Sequence, residues 1–234
     1  MRKVWVSINI LFWTLILGVL SVISIKISRD KTNFKYYSTK WSEFLIKISG
    51  VELEINGKEN IEDDKNYIFA PNHTSFIDFP VLFISVGKYL VFVAKKELKR
   101  IPIFNSILDV SGCVFVDREN TDKAVKSLDK LKKDIENTPR SIVIFPEGTR
   151  SESLELGNFK KGAAVLGINT GLPIIPVYID GSFDWWNKNF RDNYNKIVVN
   201  FGEPILTKDI NYSGRENLTD LIKNRIITLK KNEK

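Results

Sequence analysis

The sequence predicts an α/β fold, a largely parallel central sheet flanked by helices, preceded by an N-terminal membrane-associated helical segment. Three observations predict it. From about Val51 onward, short β-rich runs alternate with helical patterns, which implies layered α/β architecture. Polar clusters follow the carboxyl ends of four of the predicted strands, the edge where open α/β sheets bind ligands. Val4 to Ile25 contains no charged residue over 22 positions.

That apolar run comes first in the chain. About 20 such residues can cross a bilayer core. Arg2 and Lys3 precede it, and Lys26, Arg29, Lys31 and Lys35 follow. A cleaved signal peptide has a shorter apolar region and small residues at its cleavage site. Lys26-Ile27-Ser28-Arg29 is a poor match. Ser7, Asn9, Thr14, Ser21 and Ser24 dilute the apolarity, so both a spanning helix and one dipping into a single leaflet fit. Between Lys26 and Ser49, six Lys/Arg face two Asp/Glu. Trp41, Phe44, Leu45 and Ile48 follow the i, i+3, i+4, i+7 spacing of one helix face. That face suits the lipid headgroup level and equally suits packing on the rest of the protein. Residues 1–49 therefore read as membrane-anchoring helices and 50–234 as a catalytic domain.

In that domain the candidate strands are Tyr67–Ala70, Tyr89–Ala94, Cys113–Val116, Ser141–Phe145, Ile174–Ile179 and Lys196–Phe201. Phe79–Val86 reads as a short helix. Asn120–Asn137 is a longer one, with Ala124, Leu128, Leu131 and Ile135 at helical spacing. Lys161–Thr170 is closed by Gly171, in the usual place past a helix end. Leu218, Leu221, Ile222, Ile226 and Leu229 mark a C-terminal amphipathic helix.

Composition bounds the chemistry. The chain has 234 residues and a formal net charge of +7. That balance suits nucleic acid, anionic lipid or phosphorylated substrates, but nothing resembles a nucleic-acid module. One cysteine, Cys113, excludes an internal disulfide and fits a reducing compartment. With one histidine beside it, no zinc-ligand cluster exists.

That histidine, His73, follows the strand ending at Ala70, and Asp78 lies five residues later. On a continuous helix their side chains would diverge by about 140°. Pro80 is tolerated only in a first helical turn, so His73 falls in a loop and Asp78 at the helix opening. There Asp78 can accept one imidazole N–H and leave the other nitrogen basic, or it can simply cap the helix. After Ser141–Phe145 comes Pro146-Glu147-Gly148-Thr149-Arg150. Its glycine permits a tight turn, and Arg150 offers a bidentate fork to phosphate. Arg118 is a second phosphate candidate, and Lys95 and Lys96 sit on a basic rim. Lys160 and Lys161 precede another helix start. Of Trp185 and Trp186, one is expected in the core or against lipid.

With those clusters in place, the chain resembles the 1-acyl-glycerol-3-phosphate acyltransferase (PlsC-type) family. Four blocks match in order: Asn72-His73-Thr74-Ser75-Phe76-Ile77-Asp78, Gly112-Cys113-Val114-Phe115-Val116-Asp117-Arg118, Phe145-Pro146-Glu147-Gly148-Thr149-Arg150-Ser151 and Leu172-Pro173-Ile174-Ile175-Pro176-Val177. The resemblance covers about Asn66 to Ile179. It implies the glycerol-phosphate acyltransferase-like fold. It also implies acyl transfer from acyl-CoA or acyl-carrier protein, as co-substrate with no further cofactor, to lysophosphatidic acid. By that analogy His73 deprotonates the acceptor and Asp78 orients it. Arg118 and Arg150 hold the phosphate, Glu147 fixes the glycerol, and Asn72, Gly148, Thr149 and Lys95 belong to the substrate site. Thr74 stands where many relatives carry glutamine. The implied setting is an anionic phospholipid membrane, the cell membrane, with the catalytic domain on its cytoplasmic side.

Other acceptors, another lysophospholipid or glycerol 3-phosphate, remain compatible with these residues. A lipid serine hydrolase would need an activated nucleophile beside the base. No GxSxG elbow occurs, and Ser75 is too close to His73 for a typical triad. A non-catalytic basic protein would bind anionic surfaces in a salt-sensitive way, indifferent to His73.

Overall fold

The structure, a computed structural model, describes residues 2–116, 131, 135, 140–187 and 195–231. Two long helices lead, α1 (Arg2–Ser28) and α2 (Asn33–Ser49). Then come β1 (Glu52–Asn56), β2 (Ile68–Pro71), α3 (Asp78–Val86), β3 (Leu90–Lys95), α4 (Pro102–Val110), β4 (Val114–Val116) and β5 (Ser141–Val143). The remainder is α5 (Gly162–Thr170), β6 (Ile174–Asp180), α6 (Ser182–Asn187), β7 (Lys196–Phe201) and α7 (Arg215–Lys231).

The seven strands form one sheet in the order β1-β7-β6-β2-β5-β3-β4. Its pairings are parallel except β6 with β7, which is antiparallel. Successive side chains of a strand point to opposite faces. Phe69 therefore packs with α3 and the N-terminal helices, while Ile68 and Ala70 pack with α5 and α7. Both faces are covered, so the central strands read as continuous apolar runs. The six expected strands all appear, Lys196–Phe201 with the expected bounds and the others with ends shifted by at most two residues. Three elements were not anticipated: β1, α4 and α6. In β1 alternate residues Leu53 and Ile55 are only half-buried, a pattern too short and too charged to stand out. The expected Asn120–Asn137 helix falls on residues of which Leu131 and Ile135 alone are described. Both are helical, and Leu131 is buried among Ile142 and Ile144.

Among the described residues, α1 is the one helix long and apolar enough to cross a membrane, with 11% of its apolar window buried. That low burial separates it from the core helix of a soluble domain. One of its faces packs inward. The Trp41 indole N–H donates to Thr14 Oγ1 at 2.9 Å, and Trp13 meets Phe44 with ring centroids 4.3 Å apart. A methyl on Gly18 would overlap Ile107 of α4, so glycine allows that close approach. Val4, Ile8, Leu11, Leu15, Val19 and Ile23 stay exposed on the other side.

The inner face of α2 carries Phe34, Ser38, Ser42, Leu45 and Ser49. The Ser38 and Ser42 hydroxyls bond back to Lys35 O and Ser38 O, so these two small polar residues sit in a tight helix contact with their hydroxyls paired. Trp41, Phe44 and Ile48 are partly covered beside them. Packing on the protein is thus what this face does, and Tyr36 remains outside. At the far end of α3, the Lys58 ammonium donates to Ser85 O and Val86 O, at 2.5 and 2.6 Å. A cation there complements the helix carboxyl terminus, and burial pulls the Lys58 pKa below its ordinary value.

Candidate active site

The strands β2, β5, β3 and β4 are successive parallel neighbours. Their carboxyl ends therefore share one edge, as the motif order requires. The site is built there, beginning where β2 stops.

β2 ends at Pro71, opposite Val177 of β6. Proline has no N–H to continue the ladder. The Asn72 side-chain amide continues it instead. Its Nδ2 donates to Ile179 O at 3.0 Å, and Ile179 N–H donates to its Oδ1 at 2.7 Å. Asn72, expected at the substrate site, thus spends its amide on the sheet. The residue is 4% exposed, and its amide is used at both ends to pin the strand while the backbone turns away.

His73 sits in the resulting loop, and α3 opens five residues later at Asp78. The imidazole Nδ1 lies 2.8 Å from Asp78 Oδ2. Thr74 N–H and Ser75 N–H donate to that same oxygen at 2.9 and 3.0 Å. Asp78 is 0% exposed. Its side chain serves the loop before the helix, and α3 has no side-chain N-cap bond. A carboxylate oxygen accepts, so Nδ1 carries the proton and Nε2 of the neutral ring holds the lone pair. The ring is stacked on Phe145 at 3.8 Å and meets the edge of Phe79 at 5.6 Å. Nε2 has no hydrogen-bond partner among the described residues, and the side chain is 11% exposed.

The loop after β5 closes over this histidine. Gly148 turns it with φ +72° and an N–H bond to Phe145 O. Glu147, 4% exposed, faces inward. Its Oε1 accepts His73 N–H at 2.9 Å, and its Oε2 accepts Gly157 N–H at 2.8 Å. Ser151 N–H donates to His73 O at 2.8 Å. Glu147, expected at the acceptor glycerol, thus directs both oxygens to the protein backbone. Thr149 and Arg150 are exposed at the loop tip. The Arg150 guanidinium lies 4.2 Å from the centroid of the Phe76 ring, which places a cation beside the His73 loop. Lys160 lies along Gly148, its chain within 3.1–3.5 Å of where a Cβ would stand. Lys95 ends β3 on the same edge and is exposed. Arg118 lies outside the described residues.

Two contacts escaped the sequence reading. Phe145 and Phe79 wall the imidazole, and Phe145 could have been found as the residue that leads directly into Pro146-Glu147. Thr74 Oγ1 lies 2.6 Å from Ser182 Oγ, joining the His73 loop to the start of α6. No local signal links those two positions. Trp185 is a core residue, with its indole N–H 3.5 Å from Ser49 O.

The candidates for a covalent nucleophile fare poorly. No serine or cysteine side chain bonds to the His73 ring among the described residues. Burial pushes the Cys113 thiol up to about 12, and its S–H donates to Phe92 O at 2.8 Å. It stays a protonated thiol at neutral pH, without the thiolate that nucleophilic attack requires.

Comparison with known proteins agrees with this geometry. The acyltransferase family model matches residues 52–180, a span that contains the His73 loop, Asp78 and the Glu147 turn. A 1-acyl-sn-glycerol-3-phosphate acyltransferase of Borreliella burgdorferi is 33% identical over 182 residues, covering 77% of this chain and 72% of that protein. Its counterpart from Haemophilus influenzae is 32% identical over 78% of this chain and 74% of that protein. The crystal structure of the 1-acyl-sn-glycerophosphate (LPA) acyltransferase PlsC from Thermotoga maritima superposes with a TM-score of 0.73 at 25% identity, covering 98% of both chains. The α/β sheet, the four ordered blocks and these relatives agree: the chain is an O-acyltransferase and belongs to the PlsC-type 1-acyl-sn-glycerol-3-phosphate acyltransferase family.

Proposed function

We propose that this enzyme transfers a fatty acyl group from a thioester, acyl-CoA or acyl-carrier protein, to the sn-2 hydroxyl of 1-acylglycerol 3-phosphate. The products are phosphatidic acid and the free thiol. The observation that carries the reading is the 2.8 Å bond from His73 Nδ1 to the buried Asp78 carboxylate. It orients the ring and leaves Nε2 to take a proton.

In the proposed step the acceptor oxygen attacks the thioester carbonyl while Nε2 accepts the hydroxyl proton. The C–O bond forms, the C–S bond breaks, and His73 returns the proton to the departing sulfur. Asp78 stabilises the imidazolium between those events. No acyl-enzyme is needed. Arg150, with Arg118 and Lys95, holds the acceptor phosphate, for which a guanidinium fork is suited. Replacing Arg150 by lysine keeps the charge but loses the fork and the stack on Phe76. The acceptor KM is expected to rise roughly 10–100-fold, the loss of one charge-assisted bond, with a smaller change in kcat. Steady-state kinetics at fixed acyl donor measures it.

The uncovered face of α1 is proposed to lie in the acyl region of the cell membrane, with its cationic flanks at anionic headgroups and the catalytic domain on the cytoplasmic side. Flotation with vesicles is expected to recover the full chain and to lose it when residues 1–28 are removed. Equal flotation of both would sink the anchor assignment. The substrate test is a panel of acceptors with labelled acyl-CoA and acyl-carrier protein. Lysophosphatidic acid is expected to turn over fastest. Preference for glycerol 3-phosphate or a lysophospholipid with a larger headgroup would replace the assignment.

A further inference from the structure

We propose that Glu147 and Gly157 act as positioning residues for the base, Glu147 by clamping the His73 peptide and Gly157 by leaving room for that clamp. This rests on the reading of His73 as the base.

Three observations carry it. First, the Glu147 carboxylate is buried and divided between two loops, with Oε1 on His73 N–H and Oε2 on Gly157 N–H. Such charge-assisted bonds are shorter and stronger than neutral ones. Second, the same loop holds the other side of the histidine residue, because Ser151 N–H donates to His73 O. Both polar backbone atoms of His73 are thereby fixed from one segment, while Asp78 fixes its ring from α3. Third, Gly157 is not among the glycines with positive φ, so its backbone does not call for glycine. Space does. A Cβ there would stand 2.8 Å from Glu147 Oε2, a distance real Cβ atoms do not show. An alanine must therefore displace the carboxylate end or its own backbone, straining the bonds to the two N–H groups.

The consequence for catalysis is geometric. His73 Nε2 must meet an acceptor hydroxyl at hydrogen-bond distance. A displacement of about 1 Å at a reacting group costs on the order of 10²-fold in rate. Glu147 sets where the imidazole starts from, without touching either substrate.

The test uses full-length protein in detergent, acyl-CoA and lysophosphatidic acid. Glu147→Gln keeps the shape but turns an amide N–H₂ towards one of the two backbone donors. Its kcat is expected to fall on the order of 10²-fold with acceptor KM within about twofold. Gly157→Ala, a milder intrusion, is expected to lose roughly tenfold in kcat with the same unchanged KM. Because the chain has one histidine, ¹⁵N-histidine labelling yields a single imidazole whose Nδ1–H resonance reports the bond to Asp78. That resonance is expected to shift or broaden in both variants. A loss of folded enzyme alone would leave it in place.

A raised acceptor KM with kcat preserved would instead put Glu147 on the glycerol and overturn the proposal. So would a fall in kcat with the histidine resonance unmoved. Should Glu147→Gln fail to fold, Gly157→Ala decides by the same two readouts. If the wild-type protein does not acylate lysophosphatidic acid, the proposed substrate is wrong, and the histidine resonance still decides the clamp.

Discussion

His73→Ala is expected to lower kcat for acyl transfer on the order of 10²–10⁴-fold, the usual contribution of a positioned general base. The reason is local. No other imidazole exists in the chain, and the one thiol, the half-buried Cys113, is held protonated with its pKa pushed up to about 12. The acceptor KM is expected to stay close to wild type, because the proposed phosphate contacts lie on Arg150 and its neighbours. Single-turnover measurement with labelled acyl-CoA separates the chemical step from product release. Activity that survives His73→Ala, but is lost on replacing a serine, would reverse the assignment towards a serine hydrolase.

Asp78→Ala is expected to damage both rate and stability. One oxygen, Oδ2, accepts the imidazole N–H and two backbone N–H groups. Deleting the carboxylate leaves those backbone donors buried without an acceptor, at about 1–3 kcal/mol for such a loss, and frees the ring to rotate. The expected fall in kcat is again on the order of 10²–10⁴-fold, now with a lowered melting temperature. Asp78→Asn separates the two effects. All three donors converge on a single oxygen, so a correctly oriented amide can keep the geometry while removing the charge. It is expected to recover part of the melting temperature and to remain at least about tenfold slower than wild type, since it cannot stabilise an imidazolium. Thermal unfolding beside steady-state kinetics reads both. Equal stability of Asp78→Ala and wild type would show that the loop does not depend on this carboxylate.

These expectations differ in how much of them could be read in the chain itself. The His73–Asp78 pair was legible because its constraint is local: five residues, a proline two positions further on, and a strand just before. Asn72 and Glu147 were not legible. Their side chains satisfy backbone groups 107 and 74 residues away. A carboxylate bound to a peptide N–H looks, in sequence, the same as one awaiting a hydroxyl. The face of α2 shows the same limit. Its aromatic spacing is visible, but that Ser38, Ser42 and Ser49 lie innermost depends on how closely α1 and α3 approach.

By itself the sequence determined the alternation of strands and helices, the apolar first helix, the order of four motif blocks and the place of the histidine at a strand end. Each is written in periodicity or short spacing, which act over a few residues. Only the tertiary structure decided that β7 runs antiparallel beside β6, that one loop grips the His73 peptide from both sides, and that Asn72 serves the sheet. Those outcomes depend on which buried polar groups meet across the fold. A buried N–H or C=O must find a partner, and which partner it finds is settled by packing, not by neighbours in the chain.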